Sequence, residues 1–103
     1  MAHRIFEVSE LEELLIPIFE KHGVHEAILF GSYAKGEPTA YSDVDIYVDS
    51  GLKGLQFFGL LEDVNEALKI PVDLIDRQCL YEDGPMIREI KKTGLHIYGA
   101  QST

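Results

Sequence analysis

At 103 residues, 46% hydrophobic and 26% charged, the chain has the composition of one ordinary globular domain, long enough to bury a core and too short for two. Eighteen acidic against nine basic side chains give a net charge of -9, which repels long nucleic acid and suits a divalent cation or a basic protein partner. No apolar run approaches the ~20 residues that cross a bilayer, and Glu7, Glu10, Glu12 and Glu13 interrupt any signal-peptide core, so a cytoplasmic chain with no membrane partner is expected.

Ser9 followed by Glu12 forms a capping box, and Leu11, Leu14, Leu15, Ile18 and Phe19 recur on one helical face. They predict a helix from about Glu10 to Lys21, ended by Gly23, with Pro17 expected to kink it or move its end. The segment EAILF then reads as a short buried strand that delivers the chain to Gly31 and Ser32. The following SYAKG is long enough for a turn or two of helix, and EPTAYS is loop chemistry. In DVDIYV the residues alternate, with Val44, Ile46 and Val48 on one face and Asp43, Asp45 and Tyr47 on the other, a strand with an acidic face.

Beyond the turn SGLKG, Leu55 to Leu68 predicts a second helix with a stripe of Phe57, Leu61, Val64 and Leu68, and Phe58 is expected to join it in the core. PVDLID reads as a third strand with Val72 and Leu74 on one side and Asp73 on the other. A last helix is expected from about Pro85 to Lys92, basic in its final turn, followed by the strand LHIYG. Strands alternating with helices predict an α/β (α+β) domain, a mixed central sheet with helices packed on it, spanning residues 1–103 without linkers or repeats.

Cys79 is the sole cysteine, so no internal disulfide forms, and it reads as a small core or loop residue rather than a nucleophile. His3, His22, His25 and His96 share no helical turn and read as surface or capping residues. Glu62, Asp63 and Glu66 read as the solvated side of their helix, and Tyr41, Tyr47, Tyr81 and Tyr98 as core or interface packing.

Aspartate is depleted in strands, and like charges on one face repel, so Asp43 and Asp45 need a reason to stand together. Two residues apart on a strand, their backbones lie about 7 Å apart and their carboxylates can converge on a hard cation such as magnesium. Asp73 could complete the set if its strand is adjacent. Upstream, a Gly-Ser turn after a buried strand offers backbone N–H groups and a hydroxyl to a phosphate, with glycine permitting close approach.

Gly31-Ser32, the ten residues YAKGEPTAYS and then DVD resemble the minimal nucleotidyltransferases of the DNA polymerase beta-like superfamily, whose hallmark is Gly-Ser, ten residues and Asp-x-Asp. The likeness extends to the preceding amphipathic helix, AILFGSYAKGE, the VDLI strand and the terminal helix and strand. It implies that Gly31, Ser32, Lys35 and Ser42 bind the nucleotide, and that Asp43, Asp45 and Asp73 form the catalytic and metal site, two magnesium ions with ATP as substrate. Asp73 would ligate metal or take the proton of an acceptor hydroxyl. Small members of this family are similar to antitoxins paired with HEPN-domain ribonuclease toxins, to which they transfer AMP, so a HEPN toxin is the expected partner. Adenylylation of a small molecule, with a homo-oligomer building the pocket, and a non-catalytic antitoxin that acts by binding both stay open.

Overall fold

The computed structural model describes residues 4–80 and 84–99. In chain order it comprises α1 (Val8–His22), β1 (Glu26–Phe30), β2 (Val44–Asp49), α2 (Leu55–Leu68), β3 (Val72–Asp76), a 3-10 turn at Arg77–Cys79, α3 (Pro85–Thr93) and β4 (Leu95–Gly99). The strands form one sheet in the order β3-β2-β1-β4, with β2 and β3 parallel and the other pairs antiparallel, so the expected mixed sheet is present. Tyr81 and His3 lie outside the described residues.

Strand alternation divides the apolar side chains between two layers. On one face Ala27, Leu29, Val44, Ile46 and Val48 meet Leu11, Leu15 and Phe19 of α1 and Leu60, Val64 and Leu68 of α2. Burial of side chains this size removes them from water at roughly 1.5–3 kcal/mol each, so this layer is the main source of stability. On the other face Ile28 and Tyr47 are covered by Ile87 and Ile90 of α3.

That second layer corrects the acidic-face reading of β2. Asp43 precedes the strand, and Tyr47, on the same face as Asp45, is fully buried rather than part of an open acidic surface, because the C-terminal helix folds over the middle of this face. Its hydroxyl is buried without a hydrogen-bond partner, and burial, then the nearby Asp49 and Glu26 carboxylates, push its pKa up to about 12.

Other departures have equally local causes. α1 begins at Val8 rather than Glu10, because the Glu10 carboxylate reaches back to accept the Glu7 N–H at 3.0 Å, a reciprocal cap two residues earlier than Ser9 and Glu12. Arg4 pairs with that same Glu10 carboxylate and lies over the Phe6 ring. The helix continues through Pro17 to His22, and Gly23 closes it in the left-handed region. In α2 the buried stripe is Leu60, Val64 and Leu68, with Phe57 packed against it. Phe58, one residue further round the helix, points to solvent.

Asp63 is tied to α1 rather than merely solvated. It accepts hydrogen bonds from His22 at 2.7 Å and Lys21 at 3.1 Å, which hold its carboxyl below the usual carboxylate range. His22 is therefore a link between helices, not a capping residue, and His96 similarly faces Glu26 at 2.9 Å. Tyr98 meets Phe19 at the edge of the core, whereas Tyr41 is largely exposed, since its loop turns outward between Thr39 and Ser42.

The acid that matters most to the scaffold is Asp76, which no sequence motif marks. It is buried at the end of β3 and accepts the Ser50 N–H at 3.1 Å and the Ser50 hydroxyl at 2.8 Å, while the Ser50 oxygen accepts the Leu52 N–H at 3.0 Å. This chain fastens the β2–α2 connection to β3. Asp76→Ala strands those buried donors and is expected to lower stability by about 1–3 kcal/mol, read from the urea unfolding midpoint. The same substitution at exposed Asp73 should cost little.

Candidate active site

The backbone assembles the candidate residues from three strands. β1 ends at Phe30, and its pairing places Phe30 opposite Asp45 of β2. The parallel pairing of β2 with β3 places Asp73 directly opposite Asp45. Cross-strand partners share a face, so the turn after β1 and the acids opening β2 and β3 gather at one end of the sheet. Asp43 stands immediately before β2, at the same end.

Gly31 is the joint between the turn and the acids. Its backbone has φ of 75°, a left-handed conformation that glycine adopts without steric cost. A side-chain carbon there would drive into the Asp45 Oδ2 atom, so the Asp45 carboxylate rests against the bare Gly31 backbone. The next residues wind into a tight turn in which Lys35 N–H donates to the Gly31 carbonyl at 3.1 Å and Glu37 N–H to the Ser32 carbonyl at 3.0 Å. Ser32 is half-buried and Lys35 exposed.

Tyr33 anchors this turn from below. Its ring is buried in the main core, and its hydroxyl accepts the Phe6 N–H at 3.4 Å, a long bond that ties the N-terminal segment to the turn. The sequence shows a tyrosine here without showing that it faces inward. Ser42 is engaged within its own loop: its oxygen accepts the Thr39 N–H at 2.9 Å, and its N–H donates to the Thr39 carbonyl. It shapes the approach to Asp43.

The electrostatics agree with the geometry. Burial, then the Asp73 carboxylate, then that of Asp43 push the Asp45 carboxyl above the ordinary carboxylate value. Asp45 therefore feels the charge of both other acids. Among the described residues no three His, Cys, Asp or Glu side chains are closed around a common point. Magnesium needs no such cage, because it takes one or two carboxylates and fills its shell with phosphate oxygens and water. A hard oxygen donor set whose central member is held up by burial and by its neighbours' charge fits a divalent cation, since a cation offsets both the desolvation and the repulsion.

The larger concavities lie elsewhere. A groove of about 560 Å3 along α2 is lined by Phe58, Leu61, Glu62, Asn65, Glu66 and Lys69, and none of the three aspartates borders it. Depth is a poor guide here, because charge convergence rather than apolar enclosure is what a polyphosphate–metal site requires.

Two outcomes follow from the Gly31–Asp45 contact and the shared charge. Gly31→Ala should cost about 1–3 kcal/mol of stability, and less in an Asp45→Ala background where the added methyl has room, a coupling that a double-mutant cycle of urea midpoints reads. Asp45→Asn should raise stability at pH 7 by on the order of 1 kcal/mol. Because the folded-state pKa of Asp45 is raised, the parent chain is at no disadvantage below the unfolded value of 3.8 and loses stability as pH rises through the folded value. The advantage of Asn should accordingly vanish on acidification through that window.

Comparison with known proteins places this arrangement. Residues 13–103 match the family described as polymerase beta, nucleotidyltransferase. The protein adenylyltransferase MntA of Thermococcus cleftensis is 39% identical over 79 residues, covering 71% of this chain and 80% of its own. A Methanocaldococcus jannaschii relative, provisionally named a protein adenylyltransferase, is 33% identical over 84 residues, covering 80% of this chain and 87% of its own. Among solved structures, a toxin-antitoxin with AMP-PNP superposes with a TM-score of 0.69 at 25% identity, over 87% of this chain and 74% of that one. An MNT antitoxin in complex with the tri-AMPylated Shewanella oneidensis HEPN toxin gives 0.63 at 21% identity, over 90% and 73%, a likeness of fold. With the Gly-Ser turn packed on paired strand acids and the family match running over nearly all of its length, the chain belongs to the polymerase beta-like nucleotidyltransferases and is an enzyme of that class.

Proposed function

We propose that this protein is a magnesium-dependent adenylyltransferase that moves AMP from ATP to a hydroxyl of a HEPN-domain toxin and thereby acts as its antitoxin. The observation that carries this reading is the contact of Asp45 with the Gly31 backbone, with Asp73 directly across the strand pair. It makes the phosphate-binding turn and the acid cluster parts of one site. The names of the relatives and of the structural neighbours support the acceptor class, since a protein adenylyltransferase and a toxin-antitoxin bound to AMP-PNP are among them.

On this reading the Gly31 and Ser32 turn donates backbone N–H groups and the Ser32 hydroxyl to the phosphates, and exposed Lys35 approaches the triphosphate from the same turn. Ser42 holds the loop that presents Asp43. Asp43, Asp45 and Asp73 would hold magnesium, which when bound neutralises the triphosphate and stabilises charge on the attacking and leaving oxygens. Asp73, exposed and opposite Asp45, is placed to take the proton of the acceptor hydroxyl. The acceptor oxygen forms a bond to the α-phosphorus, the bond from that phosphorus to the bridging oxygen breaks, and pyrophosphate leaves.

The test is intact-mass spectrometry of the chain and a HEPN-domain toxin of the same genome after incubation with ATP and magnesium. One or more AMP additions on the toxin are expected. Asp43→Asn should reduce the rate about 100-fold or more, the scale of removing one group that stabilises the transition state, with the melting temperature unchanged or higher. Transfer that persists in Asp43→Asn would remove that residue from the site. A toxin that binds tightly and gains no mass would instead make the chain an antitoxin that acts by covering its partner.

A further inference from the structure

The outer surface of α2 is apolar in a way its packing does not require. Leu55 is 86% exposed and Phe58 62% exposed, while the same helix buries Leu60, Val64 and Leu68 on its inner side. Phe58 and Leu61 begin a groove that continues past Glu62, Asn65 and Glu66 to Lys69. Residues spaced at 58, 61, 62, 65, 66 and 69 repeat every three or four positions, so they form one stripe down the helix. Leaving two large apolar side chains on an exposed helix face gains nothing for the fold, since neither joins either buried cluster.

Its charge pattern selects among occupants. Glu62 and Glu66 line the groove beside Leu61, so the apolar strip carries an acidic rim on a chain whose net charge is -9. A second copy would set these acids against each other across an isologous contact. A helix with apolar anchors three and four residues apart, flanked by Lys or Arg, would satisfy both the strip and the rim.

The direction of the stripe ties it to the chemistry. α2 ends at Leu68, and the chain then turns through Lys69 and Pro71, whose carbonyl accepts the Val44 N–H at 3.1 Å. Val44 lies between Asp43 and Asp45, and Asp73 follows two residues after Pro71. The Lys69 end of the groove therefore leads to the catalytic end of the sheet.

We infer that the exposed α2 stripe, centred on Leu55, Phe58 and Leu61 with its Glu62 and Glu66 rim, is the docking surface for a basic, apolar helix of the protein that this enzyme adenylylates. This rests on the proposed protein acceptor and adds where that acceptor is held. Docking here supplies the acceptor by binding energy remote from the reacting atoms, so its loss appears in KM for the acceptor rather than in use of ATP.

The experiment uses the full chain, ATP, magnesium and the HEPN toxin as acceptor, with Phe58→Asp and a Glu62→Lys, Glu66→Lys pair as variants. Titration calorimetry gives affinity for the toxin, and initial rates of AMP incorporation give KM for toxin and for ATP. Phe58→Asp is expected to weaken toxin binding and raise its KM at least tenfold, with the melting temperature and KM for ATP unchanged. The charge-reversed pair should weaken binding by repelling the basic helix, and added salt should restore part of that affinity while it weakens binding by the parent chain, because salt then screens a repulsion in the one and an attraction in the other. Wild-type affinity and KM in Phe58→Asp would overturn the inference, as would a parent chain that is dimeric and becomes monomeric on that substitution. A parent chain that neither binds nor modifies the toxin would overturn the proposed function itself, an outcome seen without any variant.

Discussion

Three carboxylates held at one end of two parallel strands set the terms for the rest of this molecule. The β2–β3 register puts Asp45 and Asp73 side by side, and Asp43 adds a third charge one step before the strand. A backbone ladder cannot relax that repulsion by sliding, because a one-residue slip would turn Val44, Ile46 and Val48 out of the core. The hydrophobic layer beneath α1 and α2 thus holds the acids together against their mutual field. The raised pKa of Asp45 reflects its burial first and that opposition second.

The other sheet face shows how narrowly the polar site is confined. Asp45 and Tyr47 are neighbours on the same side of β2, yet Asp45 is only partly buried and Tyr47 is fully enclosed by Ile28, Ile87 and Ile90. α3 therefore acts as a boundary: it covers the middle of the face and leaves the strand openings at the end holding Asp43, Asp45 and Asp73 uncovered by its apolar side chains. The orphaned Tyr47 hydroxyl is the cost of that boundary, a polar atom buried so that the helix can seat over the ring. Asp76, at the far end of β3, serves a different purpose from Asp73 three residues earlier, satisfying Ser50 instead of facing solvent.

Much of this was legible in the residues. Strands β1 and β4 and helix α2 fall where the alternation and the helical stripe put them, and the Gly-Ser to Asp-x-Asp spacing led to a joined turn and acid cluster because both lie at strand ends that must meet in a layered sheet. Apart from the start of α1, which the local Glu7–Glu10 cap sets, the misreadings share one cause, the absence of tertiary partners from a linear pattern. Period-two alternation rightly puts Tyr47 on the face of Asp45, but it cannot know that α3 returns over the middle of that face and closes it. Helical spacing admits Phe58 to the stripe as readily as Leu60, and only the position of the sheet decides between them. Asp63 looks like solvated surface until α1 brings His22 and Lys21 to it, and Asp76 has no motif because a hydrogen bond to a residue 26 positions away leaves no local trace.

The overall acidity now divides into two chemically distinct uses. A chain of net charge -9 repels a nucleoside triphosphate, so the proposed substrate has to arrive with cations, and the place where carboxylates are densest is where those cations would be shared between enzyme and phosphate. On the outer side of α2 the same sign of charge rims an apolar strip and has no such partner within the described fold at Glu62 or Glu66. On the proposed reading, acid against metal-bound phosphate and acid against basic helix are compatible in one small domain because the sheet separates them: the strand acids lie on the face shared with α3, the α2 rim on the outside of the opposite layer. The Lys69–Asp73 connection leads from the end of the stripe to the strand acids, which on the proposed reading makes that short segment the physical route by which a docked acceptor would be brought to them.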